Sequence, residues 1–137
     1  MPVGYSGKPL IVKLGVKSGS TLSLHDAPDG FLAELAPLPP GVRMVGPNAR
    51  SVDCAILFTQ DAASLSRNFA AVAKALTDAG MLWVAWPKKS SGVVTDVTED
   101  VIRNVGLAAG LVDVKVCAVT EVWSALKFVR RLKDRKG

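Results

Sequence analysis

Residues 54–58 read CAILF, residues 61–78 read DAASLSRNFAAVAKALTD and residues 81–86 read MLWVAW. The two flanking runs are continuously apolar, the pattern of strands buried on both faces of a parallel sheet. Between them Leu65, Phe69, Val72, Ala73 and Leu76 recur at helical spacing, with Asp61 as N-cap and Gly80 as the stop. A helix over 61–78 is therefore predicted. Strand, helix and strand in so short a span make a βαβ unit, whose crossover is right-handed.

Working towards the N-terminus, a strand starts near Thr21, with Leu22 and Leu24 on one side, and Asp26, Pro28, Asp29 and Gly30 stop it. A short helix follows over Phe31 to Ala36. Pro37, Pro39, Pro40 and Gly41 then forbid regular structure until a brief strand at Val42 to Val45, which ends in a Gly46-Pro47-Asn48 turn. The first seventeen residues pass Gly4, Gly7 and Pro9 into Leu10, Ile11, Val12 and Leu14, predicting a loop and one short helix over the sheet.

Towards the C-terminus, a loop from Pro87 to Val94 leads into a second helix, with Asp96 and Glu99 as an N-cap and N3 pair and Gly110 at the end. Its apolar face is expected at Val97, Val101, Val105 and Ala108. Val112, Val114, Val116 and Ala118 then alternate with Asp113, Lys115 and Cys117, and after Thr120-Glu121 comes a strand from Trp123 to Arg131. Two long strands so closely joined are antiparallel. The predicted fold is α/β: a mostly parallel, doubly wound sheet with a C-terminal antiparallel hairpin.

The composition fits one domain over residues 1–131 with a basic tail at 132–137, since 137 residues with 49% hydrophobic and 21% charged side chains suffice for a single core. No apolar stretch approaches the roughly 18 residues of a membrane span, so no membrane contact is expected. Cys54 and Cys117 lie in apolar runs and suit buried free thiols in a reducing compartment, which points to the cytoplasm. The net charge of +5 comes from Lys127, Arg130, Arg131, Lys133, Arg135 and Lys136 against Asp134, because residues 1–126 hold eleven basic and eleven acidic side chains. A basic tail adds non-specific affinity for polyanions, but a solvated terminus that aids solubility is the simpler reading.

The parallel array closed by a long antiparallel hairpin resembles the class I S-adenosylmethionine-dependent methyltransferase fold, Rossmann-like and three-layered. GYSGKPL at 4–10, LWVAWPKKSSGVVTDVTED at 82–100 and LVDVKVCAV at 111–119, with Trp123-Ser124 and Lys127 to Arg131, resemble an uncharacterised family of small bacterial domain-of-unknown-function proteins. The likeness covers nearly the whole chain, and it implies a fold without an established activity, catalytic residues or partner.

Enzymes of the methyltransferase fold hold their cofactor against a glycine-rich turn after the first strand, where missing side chains let the ligand approach the backbone. Laid over that turn, the glycine positions become approximately His25, Ala27 and Asp29; Pro28 removes a donor, and only Gly30 remains. The end of the second strand, Val45-Gly46-Pro47-Asn48-Ala49, lacks the carboxylate that would accept from ribose hydroxyls. Seven residues separate Val45 from Asp53, too few for a helix and a strand, so the sheet is expected to be trimmed at its first edge. S-adenosylmethionine binding, or any other cofactor, is not expected.

In open α/β sheets ligands bind beyond the carboxyl ends of the strands. Those loops carry His25 and Asp26, then Thr59, Gln60 and Asp61, then Trp86 to Gly92. Lys88, Lys89, Ser90 and Ser91, followed by a helix starting near Thr95 and Asp96, offer a seat for a phosphate or carboxylate. The plainer alternative is a solvated loop with a capped helix. His25, the only histidine, invites an acid–base role beside Asp26, although neighbours on a strand face opposite ways and a structural histidine is simpler. Trp83 reads as core. Trp86 and Trp123 read as core, with an exposed aromatic patch as the alternative. No phosphate-binding loop, hydrolase elbow or metal-spaced Cys/His cluster occurs, so no catalytic residue and no metal ligand is assigned. The expectation is a non-catalytic methyltransferase-like module that binds a protein partner or small anionic ligand through Trp86 to Asp96. The alternative is a divergent methyltransferase completed by a partner subunit; a weaker third reading is nucleic-acid binding through the tail from Lys127 to Lys136.

Overall fold

The computed structural model describes residues 8–135; the loop expected through Gly4 and Gly7 and the tail end at Lys136 lie outside the described residues. Ten elements follow in chain order: α1 (Leu10–Lys13), β1 (Thr21–His25), α2 (Phe31–Leu35), β2 (Arg43–Val45), β3 (Val52–Phe58), α3 (Ala62–Lys74), β4 (Leu76–Pro87), α4 (Glu99–Ala108), β5 (Leu111–Ala118) and β6 (Trp123–Arg130). The sheet order is β2-β1-β3-β4-β6-β5. β1 pairs in parallel with β2 and β3, and β3 with β4, while β6 lies antiparallel between β4 and β5. The predicted mixed sheet with its terminal hairpin is what forms. β2 is the edge strand and a single loop links it to β3, so the first edge is trimmed as its short connection required.

The continuous apolar runs of β3 and β4 are explained by two cores. Ala55, Leu57, Leu82 and Val84 pack with Leu65, Phe69, Ile102 and Phe128 beneath α3 and α4. The alternate residues Cys54, Ile56, Phe58, Trp83 and Ala85 pack with Ile11, Leu14, Phe31 and Leu35 on the other side. Trp83 is buried, and its Nε1 donates to the carbonyl of Leu14 at 2.9 Å, tying the N-terminal segment to the sheet centre.

Four local expectations are corrected. Helix α3 ends at Lys74 rather than Asp78. Arg130 Nη2 donates to the carbonyls of Ala73 (2.9 Å) and Leu76 (3.0 Å), satisfying acceptors that the helix end leaves open, and Leu76 is already the first residue of β4. Helix α4 is capped by Thr98, whose side chain accepts from the Val101 amide, and not by Asp96. Its buried face is centred on Ile102 and Gly106, with Ala108 exposed. In β5 the register shifts between Asp113 and Lys115, so Val114 is an extra residue and both Val114 and Val116 are exposed instead of lining one buried face.

Candidate functional site

The chain passes from β1 to β2 on one side and then returns to place β3 on the other, which makes the carboxyl ends of β1 and β3 the topological switch point. His25 ends β1 there. Asp26 turns the chain in the left-handed region (φ 57°), and Gly30 (φ 82°) sits at the head of α2. The left-handed positions of the turn are thus Asp26 and Gly30, one residue along from the placement at His25, Ala27 and Asp29. Ser23 and His25 pair with Ala55 and Leu57 and so share the face covered by α3. The Ser23 hydroxyl lies 2.9 Å from His25 Nε2. Burial pulls the His25 imidazole below its ordinary pKa, with the Asp26 carboxylate partly opposing. His25 and Asp26 do not bond each other in the contacts described; Asp26 Oδ2 accepts from Asn68 Nδ2 at 3.4 Å.

On the opposite face the space under the β1 turn is filled. Phe31 meets Phe58 edge-on at 4.7 Å, and Phe58 meets Trp123 edge-on at 5.1 Å. Trp86, 9% exposed, packs into the α3/α4 core, whereas Trp123 packs on the α1/α2 side. The two tryptophans therefore occupy opposite faces and form no common aromatic patch, which overturns that alternative.

The loops after β3 and β4 are stitched together. Gln60 Nε2 donates to the carbonyl of Val94 at 3.3 Å, and the Thr95 hydroxyl donates to the carbonyl of Gln60. Asp96 Oδ1 accepts from the Ala62 amide (2.7 Å), while Asp61 Oδ1 accepts from the Ser64 amide (2.7 Å). The Ser64 bonds hold the Asp61 carboxyl below its usual range. Within the loop, Ser91 Oγ donates to the Lys88 carbonyl (2.6 Å) and accepts from the Val93 amide, and Thr95 Oγ1 accepts from the Val97 amide (3.0 Å). Lys88 is half-buried, and Lys89 and Ser90 are exposed. At the head of α4, Glu99 and Asp100 both pair with Arg103, which also reaches Asp113 at 2.9 Å.

The structure thus gathers Asp61, Thr95 and Asp96 around the start of α3 and leaves His25 and Asp26 at the neighbouring strand end. Sequence reasoning missed Ser23 and Asn68. Ser23 carried a usable signal, since residues two apart on a strand share a face; Asn68 carried none. Among the described residues no group of three or more His, Cys, Asp or Glu side chains is placed to hold a metal ion, and no helix is long and apolar enough to cross a membrane.

A six-stranded, mostly parallel sheet with helices on both faces and a closing antiparallel hairpin defines a Rossmann-like, methyltransferase-like α/β fold. The chain belongs to the family described as "Protein of unknown function (DUF3052)", which matches residues 41–132. Solved structures with the same fold include the mitomycin 7-O-methyltransferase (TM-score 0.65, 12% identity, covering 90% of this chain and 52% of that one). The S-adenosylmethionine-dependent O-methyltransferase of Thermotoga maritima gives a TM-score of 0.62 at 10% identity, covering 93% of this chain and 65% of that one. The magnesium protoporphyrin IX methyltransferase of Synechocystis PCC 6803, solved with bound S-adenosylmethionine, gives 0.57 at 12% identity, covering 89% and 74%. The chain therefore spans between half and three quarters of the length of these proteins. No curated protein matches it.

Proposed function

We propose that this chain is a methyltransferase-like binding module that performs no methyl transfer and meets its partner through the carboxyl-edge loops, with Trp86 to Asp96 at their centre. One observation carries the reading: side chains of the protein itself already hold backbone donors at the heads of α3 and α4. The Ser64 amide bonds Asp61, the Ala62 amide bonds Asp96 and the Val101 amide bonds Thr98. A helix N-terminus holds an anion through free N–H groups and its positive dipole. Here two carboxylates and a hydroxyl of the protein occupy these three donors, and Glu99 and Asp100 add negative charge in the first turn of α4.

The β1 turn argues the same way. His25, Ala27 and Asp29 bring side chains, Pro28 has no N–H, and Asp26 sets a carboxylate at a left-handed position. The end of β2 offers Gly46, Pro47 and Asn48 and no acid for ribose hydroxyls. These residues do not fit S-adenosylmethionine. What the loop after β4 presents outward is Lys89, Ser90 and Val94, the last 88% exposed, on a backbone fixed by its internal bonds. A preorganised loop of this kind loses little entropy on docking, which suits a protein partner better than a free anion.

Thermal melts with S-adenosylmethionine and S-adenosylhomocysteine at millimolar concentration test the reading, because any ligand that binds the native state raises its apparent stability. No shift is expected, and a dose-dependent rise overturns it. The second reading, a divergent methyltransferase completed by a partner subunit, draws on Gly30, whose left-handed backbone heads α2. It requires stabilisation by the cofactor once that subunit is supplied.

A further inference from the structure

We propose that the amino edge of the sheet, opposite the loops discussed above, docks on the phosphate backbone of double-stranded nucleic acid. The four parallel strands β1 to β4 all begin at this edge, and β6, running the other way, delivers Arg130 and the residues after it to the same place. Short bonds lock the converging segments together. Gly19 N donates to the carbonyl of Pro40 (3.0 Å), Arg43 N to Ser20 (2.9 Å) and Val52 N to Ala75 (2.9 Å). Arg130 Nη2 reaches Ala73 and Leu76, and Arg135 Nε reaches the Arg130 carbonyl (3.2 Å). Lys17, Arg43, Arg50, Lys74, Lys133 and Arg135, scattered through the sequence, thereby share one edge, and all but the half-buried Arg135 are exposed.

The carboxylates are distributed the opposite way. Asp26, Asp29, Asp61, Asp96, Glu99 and Asp100 lie at or near the carboxyl edge, against Lys88 and Lys89 in the loop after β4. At the amino edge, Asp53 accepts from the Thr21 amide and from the hydroxyls of Thr21 and Thr77, Asp113 near the start of β5 pairs with Arg103, and Asp78 and Asp134 stand beside the larger set of cations. A groove of about 550 Å³ between the loop after β2 and the end of α3 is lined by Arg50 and Lys74 and by no carboxylate. Within residues 1–126 the amino edge carries Lys17, Arg43, Arg50 and Lys74 against Asp53, Asp78 and Asp113, and Lys133 and Arg135 from the basic C-terminal stretch add to its positive side.

The arrangement favours a linear polyanion over a single small one. Strands spaced about 4.8 Å apart carry the cations from β2 to β6 across roughly 19 Å, the length of about six phosphates along one strand of a duplex. No aromatic side chain lines the groove to stack on a base, so the contact is to the backbone and indifferent to sequence.

The test is fluorescence anisotropy of a labelled duplex of about 20 base pairs, titrated with the full chain between about 50 and 200 mM salt. Binding is expected to weaken linearly on a log–log scale, by about 0.9 in slope for each phosphate neutralised. Arg50→Ala with Lys74→Ala should reduce that slope by about 2 and leave the thermal melt unchanged, while Arg67→Ala on the outer surface of α3 leaves both unaltered. Absence of binding at the lowest salt overturns the proposal. So does a slope the double variant does not change, complete loss of binding on deleting residues 132–137 alone, or binding to anionic vesicles or polyglutamate in preference to the duplex. None of these outcomes bears on S-adenosylmethionine, so the two proposals stand or fall separately.

Discussion

Replacing Gly106 with alanine should destabilise the protein even though alanine is the better helix former. Gly106 is buried in the last turn of α4, and a Cβ built there would lie 2.0 Å from Phe128 Cε1 and 2.5 Å from Cζ. Carbon atoms rest at about 3.5 to 4.0 Å, so the overlap is about 1.5 Å or more. The ring cannot turn aside cheaply, because Phe128 is fully buried and meets Phe69 edge-on at 5.4 Å. Overpacking of a tight core costs about 1 to 3 kcal/mol, and an overlap this large belongs at the upper end. Helix propensity returns about 1 kcal/mol, leaving a net loss of about 2 kcal/mol. In urea unfolding the midpoint should fall with an unchanged slope, and Tm should drop by roughly 8 °C. Asn104→Ala, exposed on the same helix, should be neutral or slightly stabilising. A Gly106→Ala protein as stable as the parent would refute the close packing of α4 on β6.

Three further outcomes follow from individual sites. Burial holds His25 below its ordinary 6.5, so the unfolded chain takes up the proton first, and stability present above that pH is lost as pH falls below it; its ring signals should titrate with a midpoint under 6.5, and a midpoint at or above it contradicts the burial. Burial also pushes the Cys54 thiol up to about 12, outweighing Lys127, so iodoacetamide at mildly alkaline pH should spare Cys54 in the native protein and modify it in denaturant. Thr98→Ala should cost about 1 kcal/mol through loss of the α4 cap, whereas Asp96→Ala should speed hydrogen exchange at the Ala62 amide on α3; an effect of Asp96→Ala confined to α4 would contradict the cross-loop bond.

The fold was legible where burial imprints itself on neighbouring residues. The unbroken runs at 54–58 and 81–86 exist because β3 and β4 feed cores on both faces, and the Thr120-Glu121 link leaves its two strands no choice but to run antiparallel. Features that depend on distant partners were not legible. Helix α3 stops at Lys74, where Arg130, far along the chain, holds the Ala73 carbonyl at the helix end and the Leu76 carbonyl at the start of β4. Asp96 and Thr98 are both good capping residues two positions apart, and only the bond from Asp96 to Ala62 decides which of them caps α4. The facing of Trp86 and Trp123 depends on strand register, which one bulge reverses. For the candidate site, the positions of His25, Asp26 and Asp61 followed from strand ends, while Asn68 and the cations of the amino edge depended on tertiary placement.

The central claim is that the carboxyl edge does not receive an adenosyl cofactor, because side chains of the protein hold the Ala62, Ser64 and Val101 amides and side chains crowd the β1 turn. Amide NMR during titration with S-adenosylhomocysteine to millimolar concentration addresses it at the residues concerned. The account predicts that the signals of His25 to Gly30 and Thr59 to Ser64 stay in place. Saturable shifts confined to those two segments would contradict it.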